Sequence, residues 1–222
     1  ESFIAVKKFV AALAVVPLVF SLAACGSSSN GNGDSKKITI GVVGNETANQ
    51  VLKDEAAKQG ITIEYSEFTD YAQPNPAVDA GDNDMNRFQH IAYLANYNVS
   101  SGKDLQIVGS TNIYPMAIFS KKHKKVDEIP QGGTIAIPND SVNEARALLL
   151  LKAQNLVTFK SEVHTPTHND IDTGKSKVKV TPVDATQTVI AMESVDASVI
   201  NNTFLADAGL SPSDALAQDD PN

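Results

Sequence analysis

The chain has 222 residues, enough for one domain or two small lobes, and 42% of its residues are hydrophobic, an ordinary share for a globular protein. It carries 26 acidic and 18 basic side chains, a formal net charge of −8. This balance argues against a protein that binds nucleic acid or anionic lipid through a basic surface. Because Cys25 is the only cysteine, it has no disulfide partner within the chain.

Residues 1–24 have the pattern of a bacterial export signal. Lys7 and Lys8 precede an apolar run that ends in small residues before Cys25. The sequence Leu-Ala-Ala-Cys looks like a lipoprotein box, in which the cysteine becomes the lipidated first residue of the mature protein. A membrane-spanning anchor is the alternative, but residues 9–24 are fewer than the about 20 that a span needs. We expect a lipid anchor at Cys25, such as a palmitate-bearing one, on the extracytoplasmic face of the cell membrane.

Residues 25–36 are rich in Ser, Gly and Asn and are typical of a flexible linker. Folded sequence is expected from Lys37 onward. The sequence begins with Glu rather than Met and ends in a turn-like Asp-Asp-Pro-Asn segment. From these two features we expect a truncated sequence.

The next part of the chain predicts a first α/β lobe over residues 37–117. A β-branched strand pattern, a helix with a glycine stop and an alternating strand pattern predict a parallel βαβ unit. A proline-broken turn, a second helix and a further strand follow. The predicted elements are, in chain order, strand 38–43, helix 47–59, strand 61–68, turn 71–76, helix 86–97 and strand 105–109.

A second α/β pattern covers residues 118–222. It follows an extended stretch, 113–120, and a solvated basic run, and its main helix opens with a predicted capping box of Ser141 and Glu144. Its predicted elements are strand 134–137, helix 141–154, loop 160–177, strand 178–183, helix 185–193 and strand 197–200. Two such halves predict a two-lobed α/β fold with parallel sheets, and ligands of such folds bind in clefts at the carboxyl ends of strands.

Residues 138–146 are the first candidate site. A buried-type strand ends at Pro138 and a capped helix follows at once, so free N–H groups at the helix start favour an anion. Arg146 lies on the second turn, and its planar guanidinium could bind a carboxylate through two hydrogen bonds. The alternative is a plain structural cap in which Arg146 pairs with a surface acid.

Residues 81–93 are the second candidate site. On the predicted helix, His90 and Tyr93 share one face, and Phe88 could add a second aromatic wall. Aromatic rings with a few polar groups are typical of a small-molecule pocket, while core packing is the alternative for Phe88 and Tyr93. The Asp-rich start of this segment lacks the central Gly and the terminal Glu of a calcium loop, so we expect no calcium there.

The sequence gives little indication of an enzyme. His164 and His168, followed by Asp170 and Asp172, have a spacing that binds zinc on a helix, but Pro166 between the histidines favours a solvated loop. Gly-x-Ser-x-Gly, phosphate-loop and Gly-x-Gly-x-x-Gly motifs are missing. We therefore expect no catalytic residues, no metal and no cofactor.

Several segments, taken in order, resemble the methionine-binding lipoproteins of the NlpA/MetQ family. Two phrases are specific: Asp-x-Asn-x-Phe-Gln-His over residues 84–90, and Pro-Asn-Asp-x-x-Asn-x-x-Arg over residues 138–146. The resemblance runs from Lys37 to Asn222. The matching segments are 37–44, 68–71, 81–90, 114–115, 138–146 and 199–201.

The resemblance implies a periplasmic-binding-protein-like fold of type II and a substrate-binding lipoprotein of an ABC importer. Such a protein captures methionine or a close derivative and passes it to a membrane permease with an ATPase subunit. The family's ligand positions fall here on Tyr71, Phe88, His90, Tyr93, Asn139, Arg146 and Asn201. The aromatic rings would hold the thioether side chain. Arg146 would clamp the α-carboxylate, and the two asparagines would supply polar contacts.

The sequence also departs from the family. Family members continue beyond this point into a strand and helices that complete the first lobe, so we expect that lobe to be incomplete and ligand binding to be weak. Residues 67–70 and Arg87 differ from the commonest family wording and could shift ligand preference. Two other functions stay open: a surface lipoprotein with an adhesive or moonlighting role, and an exported hydrolase.

Overall fold

The computed structural model describes residues 36–220, which all belong to the unit Ser35–Asn222. The predicted export signal, the lipidation site Cys25 and nearly all of the predicted linker lie outside the described residues. Lys36, predicted as the last linker residue, is the first residue of a strand.

The described residues form two sheets with helices. The strands are β1 Lys36–Val43, β2 Ile61–Phe68, β3 Met85–Arg87, β4 Ala117–Phe119, β5 Thr134–Pro138, β6 Lys179–Val183, β7 Ala197–Ile200 and β8 Ala217–Gln218. The α-helices are α1 Thr47–Lys58, α2 Pro74–Asp79, α3 Ile91–Ser101, α4 Ser141–Ala153 and α5 Thr188–Ala191. None of the helices between residues 36 and 220 combines the length and the apolar character that a membrane span needs.

The first sheet has the strand order β2-β1-β3, and both neighbours pair with β1 in parallel. We call this sheet with α1, α2 and α3 the first lobe. Its core contains Ile40, Val42 and Ile63, with Leu52 and Ala56 of α1 packed against them. The predicted βαβ unit is confirmed, and Gly60 ends α1 with the positive φ of +73° that glycine adopts at low cost.

Two predictions for the first lobe are right only in part, and a third is wrong. The predicted turn 71–76 contains the start of α2, because Pro74 occupies the first helical position, where proline's fixed φ suits a helix. The predicted helix 86–97 begins only at Ile91, since the preceding residues pair with the edge of β1 as β3. Residues 105–109 are not a strand: Leu105 hydrogen bonds the Asn98 side chain instead of a neighbouring strand.

The second sheet has the order β6-β5-β7-β4-β8. The strand β5 pairs in parallel with β6 and β7, whereas β4 is antiparallel to β7 and β8. We call this sheet with α4 and α5 the second lobe. Its core is an apolar cluster between the sheet and α4, and includes Ile118, Ile135, Leu148 and Leu151. Because Ala117 already pairs in this sheet, the chain enters the second lobe before the predicted boundary at residue 118.

The predicted capping box of Ser141 and Glu144 is wrong. The N-cap of α4 is Asp140, whose carboxylate accepts a hydrogen bond from the Asn143 N–H at 2.9 Å. Glu144 instead accepts from the main-chain N–H and the Nδ1 of His168, each at 2.7 Å. This distant partner lies on the long loop, which is irregular as predicted apart from one short 3₁₀ turn, His168–Asp170, and the β-bridge of Ile171 with Phe159.

Candidate functional site

The candidate residues follow the carboxyl ends of strands in both lobes. Parallel strands bring these ends to one edge of a sheet, where α/β folds bind ligands. In the first lobe, Tyr71 comes shortly after β2 and Phe88 directly after β3. In the second lobe, Asn139 follows β5 and Asn201 follows β7. The fold therefore places the predicted residues where a binding cleft is expected.

Three aromatic rings of the first lobe form one cluster. The ring centroids of Tyr71 and Phe88 are 5.9 Å apart, those of Tyr71 and Tyr93 are 6.0 Å apart, and those of Phe88 and Tyr93 are 5.7 Å apart. The Tyr93 hydroxyl donates to the Tyr71 carbonyl at 3.0 Å and fixes the edge of the cluster. A fourth ring comes from the second lobe: Phe204 lies 5.3 Å from Tyr71. The cluster thus spans both lobes.

His90 is the N-cap of α3 and does not lie on the helical face that the sequence suggested. Its Nδ1 accepts a hydrogen bond from the Tyr93 N–H at 3.2 Å, so the ring proton resides on Nε2. Nε2 is 3.1 Å from Oδ1 of Asn143 in the second lobe and donates to it. The imidazole ring still lies 6.3 Å from that of Tyr93, so the predicted pair is close although its geometry differs.

Asn143 and Asn201 form the polar centre of the second lobe. Asn143 is 2% exposed, and its Nδ2 donates to both carboxylate oxygens of Asp140 at 3.1 Å. Its Oδ1 accepts from His90 and also from Nδ2 of Asn201 at 3.2 Å. Asn201 is 7% exposed, and its Oδ1 is buried without a hydrogen-bond partner among the described residues. A buried acceptor of this kind is costly unless something donates to it.

Arg146 lies one turn after Asn143 on α4, so both side chains share one face of the helix. Its Nε donates to Oδ2 of Asp219 at 2.5 Å, and its Nη2 donates to Oδ1 of Asp219 at 3.1 Å and to the Tyr114 carbonyl at 2.9 Å. The guanidinium edge that the sequence offered to a ligand carboxylate is therefore occupied by an acid of the chain itself. Among residues 36–220, Nη1 has no hydrogen-bond partner.

Asn139 is exposed and makes no hydrogen bond within the described part of the chain. It is next to Asp140, whose carboxylate caps α4, but its side chain is not part of the network around Asn143. A ligand contact from Asn139 therefore stays a prediction.

Burial shifts the titration of three residues in this site. It raises the pKa of Tyr71 well above its ordinary value, although a hydrogen bond with Thr203 opposes the shift. It raises the pKa of Tyr93 to about 12, with nearby acids such as Asp140 adding to the effect. It lowers the pKa of His90, so this imidazole is neutral at pH 7. The aromatic side of the site, with His90 at its edge, is thus uncharged at pH 7.

Arg87, which differs from the residue expected in the family, forms hydrogen bonds within the first lobe. Its Nη1 donates to Glu46 and to Asn49, each at 2.7 Å, and its Nη2 donates to Asn112 at 2.6 Å. The Tyr114 hydroxyl also reaches Glu46 at 3.4 Å. Arg87 therefore braces the segment that carries Tyr114 into the second lobe, and with it one partner of Arg146.

Three other groupings of histidine, acidic or serine side chains can be compared with known metal and nucleophile geometries. In residues 36–220, no three His, Cys, Asp or Glu side chains are placed to hold one metal ion. His164 is exposed, and His168 bonds Glu144. His123 and Asp196 do pair at 3.0 Å beside Ser120. The Ser120 hydroxyl donates to the Asp196 carbonyl and accepts from main-chain N–H groups, so it is not positioned by the imidazole as a nucleophile.

Sequence reasoning missed three residues of the site. Asn143 was visible in the motif Pro-Asn-Asp-x-x-Asn-x-x-Arg, and its position three residues before Arg146 was a usable signal. Phe204 and Asp219 lie in segments with no periodic pattern, and no local signal marks them. Their partners, Tyr71 and Arg146, are far away in the sequence.

The family model described as NlpA lipoprotein matches residues 38–222. Outer membrane lipoprotein 1 of Mannheimia haemolytica is 41% identical over 186 residues, which cover 80% of this chain and 66% of that protein. Outer membrane lipoprotein 2 of the same organism is 39% identical over 168 residues, 75% of this chain and 60% of its own length. The chain thus spans just under two thirds of the length of these two relatives. The D-methionine-binding lipoprotein MetQ of Escherichia coli is 36% identical over 214 residues, 92% of this chain and 78% of that protein.

Solved structures agree with these relatives. The substrate-binding protein of a methionine transporter from Streptococcus pneumoniae superposes with a TM-score of 0.77 at 38% identity, covering 83% of this chain and 75% of that one. A nutrient-binding protein from Burkholderia cenocepacia bound to methionine gives 0.78 at 37% identity, covering 82% and 79%. The two-lobed substrate-binding fold expected from the sequence is confirmed. With the family model matching from residue 38 to residue 222, the chain belongs to the NlpA lipoprotein family.

Proposed function

We propose that this chain is the substrate-binding lipoprotein of an ABC importer and that it captures methionine or a close derivative between its two lobes. One observation carries the proposal: His90, beside the aromatic wall of the first lobe, contacts Asn143 of the second lobe. Asn143 in turn bonds Asn201 and lies one turn before Arg146 on α4. The two sides are already joined by the hydrogen bond from His90 to Asn143. Aromatic rings facing a few polar groups suit a small amphipathic ligand.

Each part of methionine finds a suitable partner in this proposal. The thioether side chain packs among Tyr71, Phe88 and Tyr93, since sulfur makes favourable contacts with aromatic rings. The α-carboxylate binds the free Nη1 of Arg146. The α-ammonium donates to Oδ1 of Asn201, the buried acceptor that lacks a partner. The proposal also retains His90 and Asn139 as ligand contacts, as the resemblance implies. His90 lies beside the rings, and Asn139 is exposed next to the N-cap of α4.

The names of relatives support the same ligand class. MetQ of Escherichia coli is named as binding D-methionine, and the Burkholderia protein was solved with methionine bound. In the proposal the chain passes its ligand to a permease with an ATPase subunit. It performs no catalysis, uses no cofactor and binds no nucleic acid.

Calorimetric titration of the mature chain tests the ligand assignment. L-methionine, D-methionine and methionine sulfoxide are titrated into the wild type, with L-leucine as the apolar ligand that lacks sulfur. We expect methionine to bind more tightly than leucine and Arg146→Ala to weaken methionine binding roughly 100-fold. Lys152→Ala removes an exposed cation from the same helix and serves as the matched control. Absence of methionine binding by a cooperatively folded wild type would refute the assignment.

The lipid anchor is tested separately. We propose that Cys25 is lipidated and tethers the protein to the extracytoplasmic face of the membrane. Cells expressing the chain are labelled with palmitate, and the wild type is compared with Cys25→Ser. Label and membrane fractionation are expected for the wild type alone. Equal labelling of the two proteins would place the lipid elsewhere.

A further inference from the structure

Asp219 is the acid that the chain supplies to Arg146. Its carboxylate faces the guanidinium edge-on, with Oδ2 2.5 Å from Nε and Oδ1 3.1 Å from Nη2. The side chains are 15% and 26% exposed, so this two-point pair is sheltered from water on most sides. Paired hydrogen bonds between a guanidinium and a carboxylate fix orientation as well as distance.

The carboxylate of Asp219 is itself held firmly by the second sheet. Its Oδ1 accepts the main-chain N–H of Met116 at 2.7 Å, and its own N–H donates to the Met116 carbonyl at 2.9 Å. Met116 immediately precedes β4, and Asp219 immediately follows β8. The acid therefore sits at the end of a paired strand edge, a rigid place from which to orient another side chain.

These contacts determine which donors of Arg146 stay available. A guanidinium has five N–H donors in one plane. Nε and Nη2 are turned toward Asp219 and the Tyr114 carbonyl. The two N–H groups of Nη1 are left, and they point away from the Asp219 edge because the fork is planar. Without the acid, only the Tyr114 carbonyl still holds the guanidinium, so the long arginine side chain regains part of its rotamer freedom and Nη1 loses its fixed direction.

We propose that Asp219 is a positioning residue for ligand binding: it fixes Arg146 so that Nη1 meets the ligand carboxylate, without touching the ligand itself. This inference rests on the proposed function. It assigns a role to a residue that neither the sequence pattern nor the resemblance singled out. It also predicts that the ligand carboxylate meets one nitrogen of Arg146 rather than the full fork.

The test compares Asp219→Asn with the wild type, using L-methionine and L-methioninamide, which lacks the carboxylate. The asparagine still accepts from Met116 but no longer offers a carboxylate to Arg146. We expect methionine to bind roughly 10-fold more weakly or worse, since loss of the outer partner that orients a metal ligand costs about 10- to 100-fold and Asp219 orients Arg146 in a comparable way. Methioninamide affinity should change little, so the preference for methionine over methioninamide falls. A general structural defect would weaken both ligands equally.

Two further variants sharpen the test. Asp219→Glu keeps the carboxylate on a longer stem and is expected to restore part of the preference. In the Arg146→Lys background, Asp219→Asn is expected to have no further effect on affinity. Asp207→Asn removes an exposed acid from the neighbouring segment and is the matched control. All titrations are done at temperatures well below the unfolding midpoint of each variant. If Asp219→Asn does not fold, the preference of Asp219→Glu for methionine over methioninamide decides the test.

The outcomes separate the two proposals. If the wild type binds neither methionine nor methioninamide, the proposed function is wrong and the inference falls with it. If the wild type binds methionine and Asp219→Asn binds it equally well or more tightly, only the role of Asp219 is refuted. Equal losses for methionine and methioninamide would also refute it, since they would show a structural effect alone.

Discussion

The two sides of the proposed cleft are stabilised by different kinds of interaction. The first-lobe side is an aromatic wall, Tyr71, Phe88 and Tyr93, fixed by ring contacts of 5.7 to 6.0 Å. The second-lobe side is a polar network in which Asn143, Arg146 and Asn201 are fixed by directed hydrogen bonds. Ring packing tolerates small shifts, whereas a network of buried hydrogen bonds does not. Changes on the polar side should therefore cost more than equal changes on the aromatic side.

Arg146→Ala is expected to cause the largest loss of methionine affinity. It removes the donor proposed for the ligand carboxylate and leaves the sheltered Asp219 without its cation. Hydrogen bonds to charged groups contribute about 1.5–3 kcal/mol, so methionine affinity should fall roughly 100-fold. Thermal unfolding should also shift downward. An unchanged dissociation constant by calorimetry would remove Arg146 from the site.

Gly44→Ala breaks the contact between the lobes rather than either side of the cleft. Gly44 of the first lobe has a φ of +74°, and an added Cβ would lie 2.7 Å from the Thr203 carbonyl of the second lobe. The approach of the lobes would have to relax. We expect methionine to bind about 10-fold more weakly, because destabilising the closed form by ~1.4 kcal/mol lowers the affinity by that factor.

Gly60→Ala is the matched control for this effect. Gly60 has a φ of +73°, and nothing lies within 4 Å of an added Cβ. Both variants bear the same left-handed backbone strain of about 1–2 kcal/mol, so any difference between them reports the clash. Small-angle scattering with and without methionine should show an expanded radius of gyration for Gly44→Ala alone. Equal behaviour of the two variants would contradict a role of Gly44 in lobe closure.

Local sequence signals predicted part of the fold, whereas elements that depend on tertiary pairing were missed. The unit β1-α1-β2 was predictable because its alternation, its helix and its Gly60 stop are local signals. The strand β3 was missed because its three residues are extended only by pairing with the free edge of β1. Propensity within residues 86–97 favoured a helix, and the tertiary pairing overrode it at the N-terminal end.

For the candidate site, several of the residues that the structure brings together were visible in the sequence, but their connections were not. Arg146 and its motif were visible, yet its partner Asp219 is 73 residues away. His90 was assigned to a helical face, but it caps α3 and reaches Asn143 across 53 residues. Aromatic and charged residue types indicate a pocket, whereas hydrogen-bond partners depend on which loops the sheets bring together.

Tyr71→Leu tests the aromatic side. It should weaken methionine binding less than Arg146→Ala or Gly44→Ala. The substitution keeps an apolar side chain but removes the ring contacts with Phe88, Tyr93 and Phe204. Sulfur–aromatic contacts contribute about 0.3–1.5 kcal/mol, so methionine affinity should fall only ~2- to 10-fold. Leucine affinity should change less, and the preference for methionine over leucine should narrow. A loss as large as that of Arg146→Ala would overturn the contrast between the two sides.

The pH dependence of stability tests the bond that joins the two sides. Burial lowers the pKa of His90, with the Arg146 charge adding to the shift and the hydrogen bond with Asn143 opposing it. In the unfolded chain the imidazole titrates near its ordinary value of 6.5. The unfolded state therefore binds the proton more readily, and the contribution of His90 to stability is lost as the pH falls below 6.5 toward the lowered folded pKa.

Protonation would also place a proton on Nδ1, which caps α3 by accepting from the Tyr93 N–H. Loss of an N-cap costs about 1 kcal/mol, or ~2–4 °C in the unfolding midpoint of a chain of this size. His90→Asn keeps a capping oxygen but has no titrating group, so its midpoint should fall less between pH 7.5 and pH 5.5. The exposed His164, changed to Asn, is the control and should leave the wild-type slope unchanged. Equal slopes for the wild type and His90→Asn would show that the imidazole joining the two lobes does not govern this pH response.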